Sequence, residues 1–77
     1  MKVTLRFARL LLEVYEHLDE AIEVTLEEGA TARDALDAVA LPEGAWGILI
    51  TDDRLCRIDE EVTHGQIITV LPPVSGG

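Results

Sequence analysis

The residues whose types and spacing invite chemistry sit at the end of the chain, Pro72-Pro73-Val74-Ser75-Gly76-Gly77. Two adjacent prolines fix φ and remove two backbone donors, so this segment is extended, stiff and unable to continue as a ladder strand. Six extended residues reach at most ~20 Å. The last two carry no side chain, so the tip can enter a slot too narrow for any Cβ. It can thereby bring a terminal carboxylate to a catalytic centre in another protein. A Gly-Gly pair by itself reads equally as a frayed end. Two features favour the chemical reading: the segment leaves directly from an apolar strand pattern, and the prolines stiffen it.

Other chemistry-bearing residues read more plainly. Cys56, between Leu55 and Arg57, is a lone cysteine and reads as a small packing residue. Arg54 and Arg57 would lower its pKa only if it were exposed. His17 and His64 fall at a helix end and a turn, with no third ligand spaced to join them, so no metal site is expected. Asp52-Asp53 and Asp59-Glu60-Glu61 lack the alternating oxygen ligands and central glycine of a calcium loop. They read as turn and solubility residues. Trp46, between Gly44 and Gly47, is either a partner anchor or a plug for the end of a small core.

The chain that must position these groups has 77 residues, enough for one domain. It has too little wall for an enzyme cleft of its own. Fifteen acidic against six basic residues give a formal net charge of −9. Such a surface repels nucleic-acid backbones and anionic membranes and favours basic protein partners. One cysteine excludes an internal disulfide and fits a reducing compartment. No secretory signal opens the chain, and its longest apolar run is short of the ~20 residues a bilayer requires. A soluble, cytoplasmic protein is expected.

Val3, Leu5 and Phe7 alternate with polar residues, predicting a first strand. Leu10, Leu11, Val14 and Leu18 recur at helical spacing and predict a short helix over Ala8–His17. Ile22, Val24 and Leu26 alternate with Glu23, Thr25 and Glu27, a second strand with an acidic outward face. Thr31 is a helix N-cap with Asp34 as its capping-box partner. The main helix that follows buries Ala35, Leu36 and Val39, with Ala32 and Ala38 in close contacts, and Pro42 stops it. Ile48-Leu49-Ile50 predicts a central strand, Asp52-Asp53 a hairpin turn and Arg54 to Ile58 a short returning strand. Asp59 to Gly65 is irregular. Gln66 to Leu71 closes the pattern, with Ile68 and Val70 on one face and Ile67, Thr69 and Leu71 on the other. The architecture is α+β: four or five strands rolled around the helix Thr31–Ala40, a body over 1–71 and an extended tail over 72–77.

Phe7-Ala8-Arg9-Leu10, Leu26-Glu27-Glu28-Gly29-Ala30-Thr31 and Leu71-Pro72-Pro73-Val74-Ser75-Gly76-Gly77 carry a resemblance. In order and spacing, and over essentially the whole chain, they resemble the MoaD family, the small sulfur-carrying subunit of molybdopterin synthase. The resemblance implies a ubiquitin-like β-grasp roll, a mixed sheet packed on one main helix with a flexible Gly-Gly tail. It also implies a partner adenylyltransferase, similar to ubiquitin-activating enzymes, that uses ATP on the Gly77 carboxylate. A persulfide sulfurtransferase then supplies the sulfur of a thiocarboxylate, which the large subunit passes to a cyclic pterin precursor.

By the same resemblance Gly77 carries the transferable group, Gly76 permits entry to the channel, and Val74 and Ser75 contact its wall. Pro72 and Pro73 belong to the partner-binding set. The chain holds no cofactor stably and supplies sulfur without a complete active site. In a β-grasp the first strand neighbours the last, so Lys2, Arg6 and Arg9 are expected to flank the tail exit. Arg6, Ile67, Thr69 and Leu71 are then expected to form the docking face for both enzymes. The chain departs from the family pattern in having Leu71 where many relatives have Phe. Ile48-Leu49-Ile50-Thr51 lacks the frequent Val-Asn, and Gln66 stands where Asp is common. A sulfur acceptor such as a thiazole precursor or a tRNA base stays open, as do a lysine-conjugated modifier and an interaction domain with an inert tail.

Overall fold

The alternating runs become strands of one sheet. The computed structural model describes residues 1–74. In chain order these form β1 (Lys2–Phe7), α1 (Arg9–Val14), β2 (Ala21–Thr25), α2 (Ala32–Ala38), β3 (Ile48–Thr51), β4 (Arg54–Leu55) and β5 (Ile67–Leu71). The strand order is β2-β1-β5-β3-β4. β1 and β5 run parallel, and the other neighbours are antiparallel. A five-stranded mixed sheet in this order, with helices on one face, is the β-grasp fold.

Period-2 alternation sends one set of side chains inward from each strand. Val3, Leu5 and Phe7 of β1, Ile68 and Val70 of β5, and Leu49 of β3 are buried. Register aligns them, with Leu5 opposite Ile68 and Ile22, and Val70 opposite Phe7 and Leu49. Ala32, Ala35 and Leu36 of α2 close the other side. The two alanines have no exposed surface, which lets the helix backbone approach the sheet. Thr51 is the buried polar residue of the described chain. Its hydroxyl donates to the Ile67 carbonyl at 3.0 Å and accepts from Gln66 Nε2 at 3.0 Å. Gln66 Oε1 in turn accepts from the Thr63 amide, so its length spans a gap that a shorter Asp side chain would not.

The stretch after β4 supplies the start of α2 with acceptors. Ala32 N–H donates to the Glu60 carbonyl and Arg33 N–H to the Ile58 carbonyl, satisfying donors that a helix N-terminus leaves open. Thr31 N–H donates to Asp34 Oδ2 at 2.9 Å, the capping contact expected from sequence. Arg54 grips Glu60 with both guanidinium nitrogens, at 2.9 and 2.7 Å. That pairing, with the Arg57 amide, holds the Glu60 carboxyl down at about 2.

Several expectations are corrected. The first helix runs only from Arg9 to Val14, and its chain leaves helical geometry at Tyr15. Leu11 and Leu18 are buried as core residues, whereas Leu10 and Val14 lie on the solvent side. β4 has two residues, because Cys56 turns inward to the core and the chain then leaves to cap α2. β3 is an interior strand, as expected, paired with β5 on one side and β4 on the other. α2 stops at Ala38, well before Pro42, and Ala38 itself is exposed. The stop is a Schellman arrangement: Leu41 N–H donates to the Leu36 carbonyl and Ala40 N–H to the Asp37 carbonyl. It places Ala40 at φ 55, a left-handed conformation suited to glycine. The Asp52-Asp53 turn, with φ of 50 and 61, is the hairpin expected.

Ala40→Gly should relieve that strain and raise stability by about 1 kcal/mol, or a melting temperature gain of ~5 °C. Calorimetry checks it, and an unchanged or lower melting temperature contradicts the strain. Because the folded pKa of Glu60 is depressed, its stabilisation is complete above the ordinary carboxylate value of ~4.3 and is lost as pH falls to about 2. Urea midpoints across that interval should fall less steeply for Glu60→Gln than for the parent chain.

Candidate functional site: the tail root and the face beside it

The tail begins where β5 ends, and the backbone holds its first residues in place. Ala8 N–H donates to the Val70 carbonyl at 3.1 Å, and Gly47 N–H donates to the Leu71 carbonyl at 2.8 Å. The β3–β5 ladder is thus extended by one residue beyond the Ile48–Leu71 pair. Gly47 has a further role. A Cβ placed there would lie 2.5 Å from Pro73 Cα and 2.8 Å from the Pro72 carbonyl oxygen. Real Cβ atoms do not approach backbone so closely, so the missing side chain is what lets Pro72-Pro73 run flat against the loop before β3. Pro72 is half-buried, Pro73 is exposed, and Val74 projects with 80% of its surface free. The expectations placed on Ser75, Gly76 and Gly77 lie outside the described residues.

The outward sheet face carries the expected docking residues. Ile67, Thr69 and Leu71 of β5 share it, and Arg6 of β1 sits directly opposite Thr69. Ile48 lies opposite Leu71, Ile50 opposite Thr69 and Leu55 opposite Ile50. An apolar patch of Ile48, Ile50, Leu55, Ile67 and Leu71 therefore surrounds Thr69, with Arg6 at its edge. Leu55 and Ile67 are 69% and 51% exposed. Sequence reasoning placed Ile67, Thr69 and Leu71 here and missed Ile48, Ile50 and Leu55. The signal was present in Ile48-Leu49-Ile50-Thr51: with Leu49 and Thr51 inward, the two isoleucines must face out.

The expected basic rim is divided. Lys2 is at the opposite end of β1 from the tail exit, where its carbonyl accepts from Gly65 and its ammonium pairs with Glu23 at 3.5 Å. The parallel β1–β5 pairing separates it from Leu71 by the length of the strand. Arg9 lines a different hollow, with Phe7, Leu12, Glu13 and Glu20. Arg6 alone of the three stands on the face beside β5.

Burial pushes the Cys56 thiol up, Glu60 adds to this, and Arg54 only partly opposes it. Cys56 is a core residue with a weak donation to the Arg57 carbonyl, as its packing reading has it. His17 bonds the Val39 carbonyl through Nε2, and His64 Nδ1 accepts from the Lys2 amide. Trp46 is half-buried and packs on the core, closer to a plug than to an exposed anchor. Among the described residues no three His, Cys, Asp or Glu side chains come together as metal ligands. No helix among them is long and apolar enough to cross a membrane.

Gly47→Ala should therefore displace Pro72-Pro73 while the core stays folded, at a stability cost of about 1–3 kcal/mol. Amide chemical shifts should change around 45–48 and 71–74 and little elsewhere. Unperturbed shifts at residues 71–74 would contradict the contact.

The same β-grasp recurs in solved structures. SAMP1 from Haloferax volcanii superposes with a TM-score of 0.79 at 24% identity, covering 100% of each chain. A putative molybdopterin converting factor subunit 1 from Pyrococcus furiosus gives 0.76 at 23% identity, over 96% of this chain and 99% of that one. A chain from the complex of molybdopterin-converting factor subunits 1 and 2 of Helicobacter pylori gives 0.59 at 21%, covering 100% of each chain. At these identities the likeness establishes the fold. No curated protein matches the chain significantly. A sequence model of the ThiS family matches residues 9–77, from the start of α1 through both final glycines. The chain belongs to the ThiS family of ubiquitin-like sulfur carriers.

Proposed function

We propose that the chain is the sulfur-carrying small subunit of a molybdopterin synthase. The Gly77 carboxylate is adenylated at the expense of ATP by an activating enzyme. The terminal sulfur of a persulfide donor then displaces AMP to give an acyl disulfide, a thiol cleaves its S–S bond to leave the thiocarboxylate and a disulfide, and the sulfur passes to a pterin precursor held by a large subunit. The observation that carries this reading is the tail root, Leu71 to Val74, pinned beside Gly47 and projected from a family member whose match runs through Gly77.

Each part of the described structure suits that task. Adenylation turns a poor electrophile into one with a good leaving group, and it takes place in the partner, so this chain needs only to deliver the terminus. Pro72-Pro73 limits the directions the terminus can take. Gly76 and Gly77 offer no side chain to a narrow channel. The patch of Ile48, Ile50, Leu55, Ile67 and Leu71 is the surface on which the large subunit rests, and Arg6 sits at its edge. The Helicobacter pylori neighbour, described as a complex of subunits 1 and 2, supports a large-subunit partner. The Haloferax volcanii small archaeal modifier protein 1, also similar in fold, favours a modifier as the second reading.

Intact mass after incubation with ATP, an activating enzyme and a sulfur donor should show one sulfur in place of one oxygen, lost when Gly77 is deleted. No mass change with several activating enzymes of this class defeats the carrier reading. Gly77 found on target lysines in cells moves the assignment to the modifier. Ile67→Asp should weaken binding of the large subunit by about 2 kcal/mol, roughly 30-fold, with the melting temperature little changed. Unaltered affinity would remove the sheet patch from the interface.

A further inference from the structure

We propose that the groove between α1 and the tail root is a second docking surface. It accepts one large apolar side chain from the ATP-dependent activating enzyme, presented between basic groups. The proposal rests on the sulfur-carrier reading and adds a recognition element to it.

Leu10 and Val14 are one helical turn apart and stand on the same side of α1, 55% and 61% exposed. Their neighbour Leu11 is buried, so the helix keeps one leucine for the core and turns two large apolar residues outward. Together with Leu11, Tyr15, Pro72 and Pro73 they line a groove of about 210 Å³. That space suits a single large side chain and is small for a metabolite. Surface leucines scattered singly need no explanation, but two beside a double proline form a contiguous patch.

The occupant follows from reach. Two residues lie between Val74 and Gly77, so the two are at most ~11 Å apart. Pro72-Pro73 cannot be drawn away from the body without breaking the Gly47–Leu71 bond and the close packing on Gly47. An enzyme that encloses Gly76 and Gly77 while bringing the α-phosphorus of ATP to the carboxylate must therefore press against the groove, whose wall is Pro72-Pro73 itself. Leu71 presents to the outer sheet face, whereas α1 lies in the layer on the core side. The tail leaves between two apolar surfaces, and an enzyme closing on it meets both. Charge completes the description. The groove is lined by apolar side chains, and the chain around it carries −9 overall. A basic rim around the inserted side chain is the complement.

The test is adenylation of the full chain by an activating enzyme of the ubiquitin-activating type with MgATP, read as pyrophosphate release. Leu10→Asp/Val14→Asp should raise KM about tenfold or more and leave kcat within about twofold, because the groove binds and does not react. Both positions are exposed, so the melting temperature should hold. Leu10→Ser/Val14→Ser, which adds no charge, should show a smaller KM increase in the same direction. An unchanged KM in both variants, with the parent chain adenylated normally, overturns the groove and leaves the carrier reading standing. Failure of the parent chain itself to be adenylated overturns both. Sedimentation that shows a parent dimer dissociated by either variant assigns the groove to a second copy and also overturns the proposal.

Discussion

The parallel pairing of β1 with β5 is the constraint on which the rest depends. It joins the first strand to the last across nearly the whole chain, putting Leu5 on Ile68 and Phe7 on Val70 at the centre of the core. Parallel neighbours cannot be joined by a tight hairpin, so between β2 on one side of the pair and β3 on the other the chain must cross over the sheet. That crossover is α2 with its flanking loops, and its small residues Ala32 and Ala35 set how closely it lies. The same pairing decides where the tail leaves: at the end of β1, beside the start of α1, with the Ala8 amide on the Val70 carbonyl.

From that exit point the tail root is shaped by backbone more than by side chains. One hydrogen bond from Gly47 and the absence of a Cβ there hold two prolines that lack donors of their own. Stiffness and placement come together: the prolines restrict the direction of the tail, and the Gly47 contact anchors its origin. A carrier whose reactive atom is supplied by another enzyme requires little more than this. The surfaces flanking the root are apolar on both sides.

Charge is distributed to match. Most of the acid lies in the connecting segments, at Glu16, Asp19 and Glu20, at Glu27 and Glu28, at Asp52 and Asp53 and from Asp59 to Glu61, while the patch around Thr69 is apolar with Arg6 at its margin. Long-range attraction to a basic partner would speed encounter, and apolar contact would retain it. Two acids serve the fold: Asp34 caps α2, and Glu60, gripped by Arg54, ties the β3–β4 hairpin to the loop that leads into α2. Burial, with Glu60 adding to it, raises the pKa of the thiol of Cys56, a core residue.

Local pattern was enough for much of this. Alternation in Val3-Leu5-Phe7 and Ile68-Val70, the Thr31–Asp34 cap, the Asp52-Asp53 turn and the Pro72-Pro73 stiffener are short-range features, legible because each depends on a few adjacent residues. The outward placement of Ile67, Thr69 and Leu71 followed from the same period of two. Other features depended on neighbours distant in sequence. Leu10 and Val14 read as core because helical spacing does not say which side of a six-residue helix meets the sheet. Ile48 and Ile50 read only as part of a central apolar strand, because an unbroken apolar run does not show which of its side chains face outward. The end of α2 at Ala40 depended on a left-handed alanine where a downstream proline was the visible stop signal. Gly47 was a loop glycine until the tail was seen lying against it. By itself the sequence determined which residues are apolar, stiff or side-chain-free; only the tertiary structure decided which of them meet, because the β1–β5 pairing that brings tail, α1 and Gly47 together is made between opposite ends of the chain.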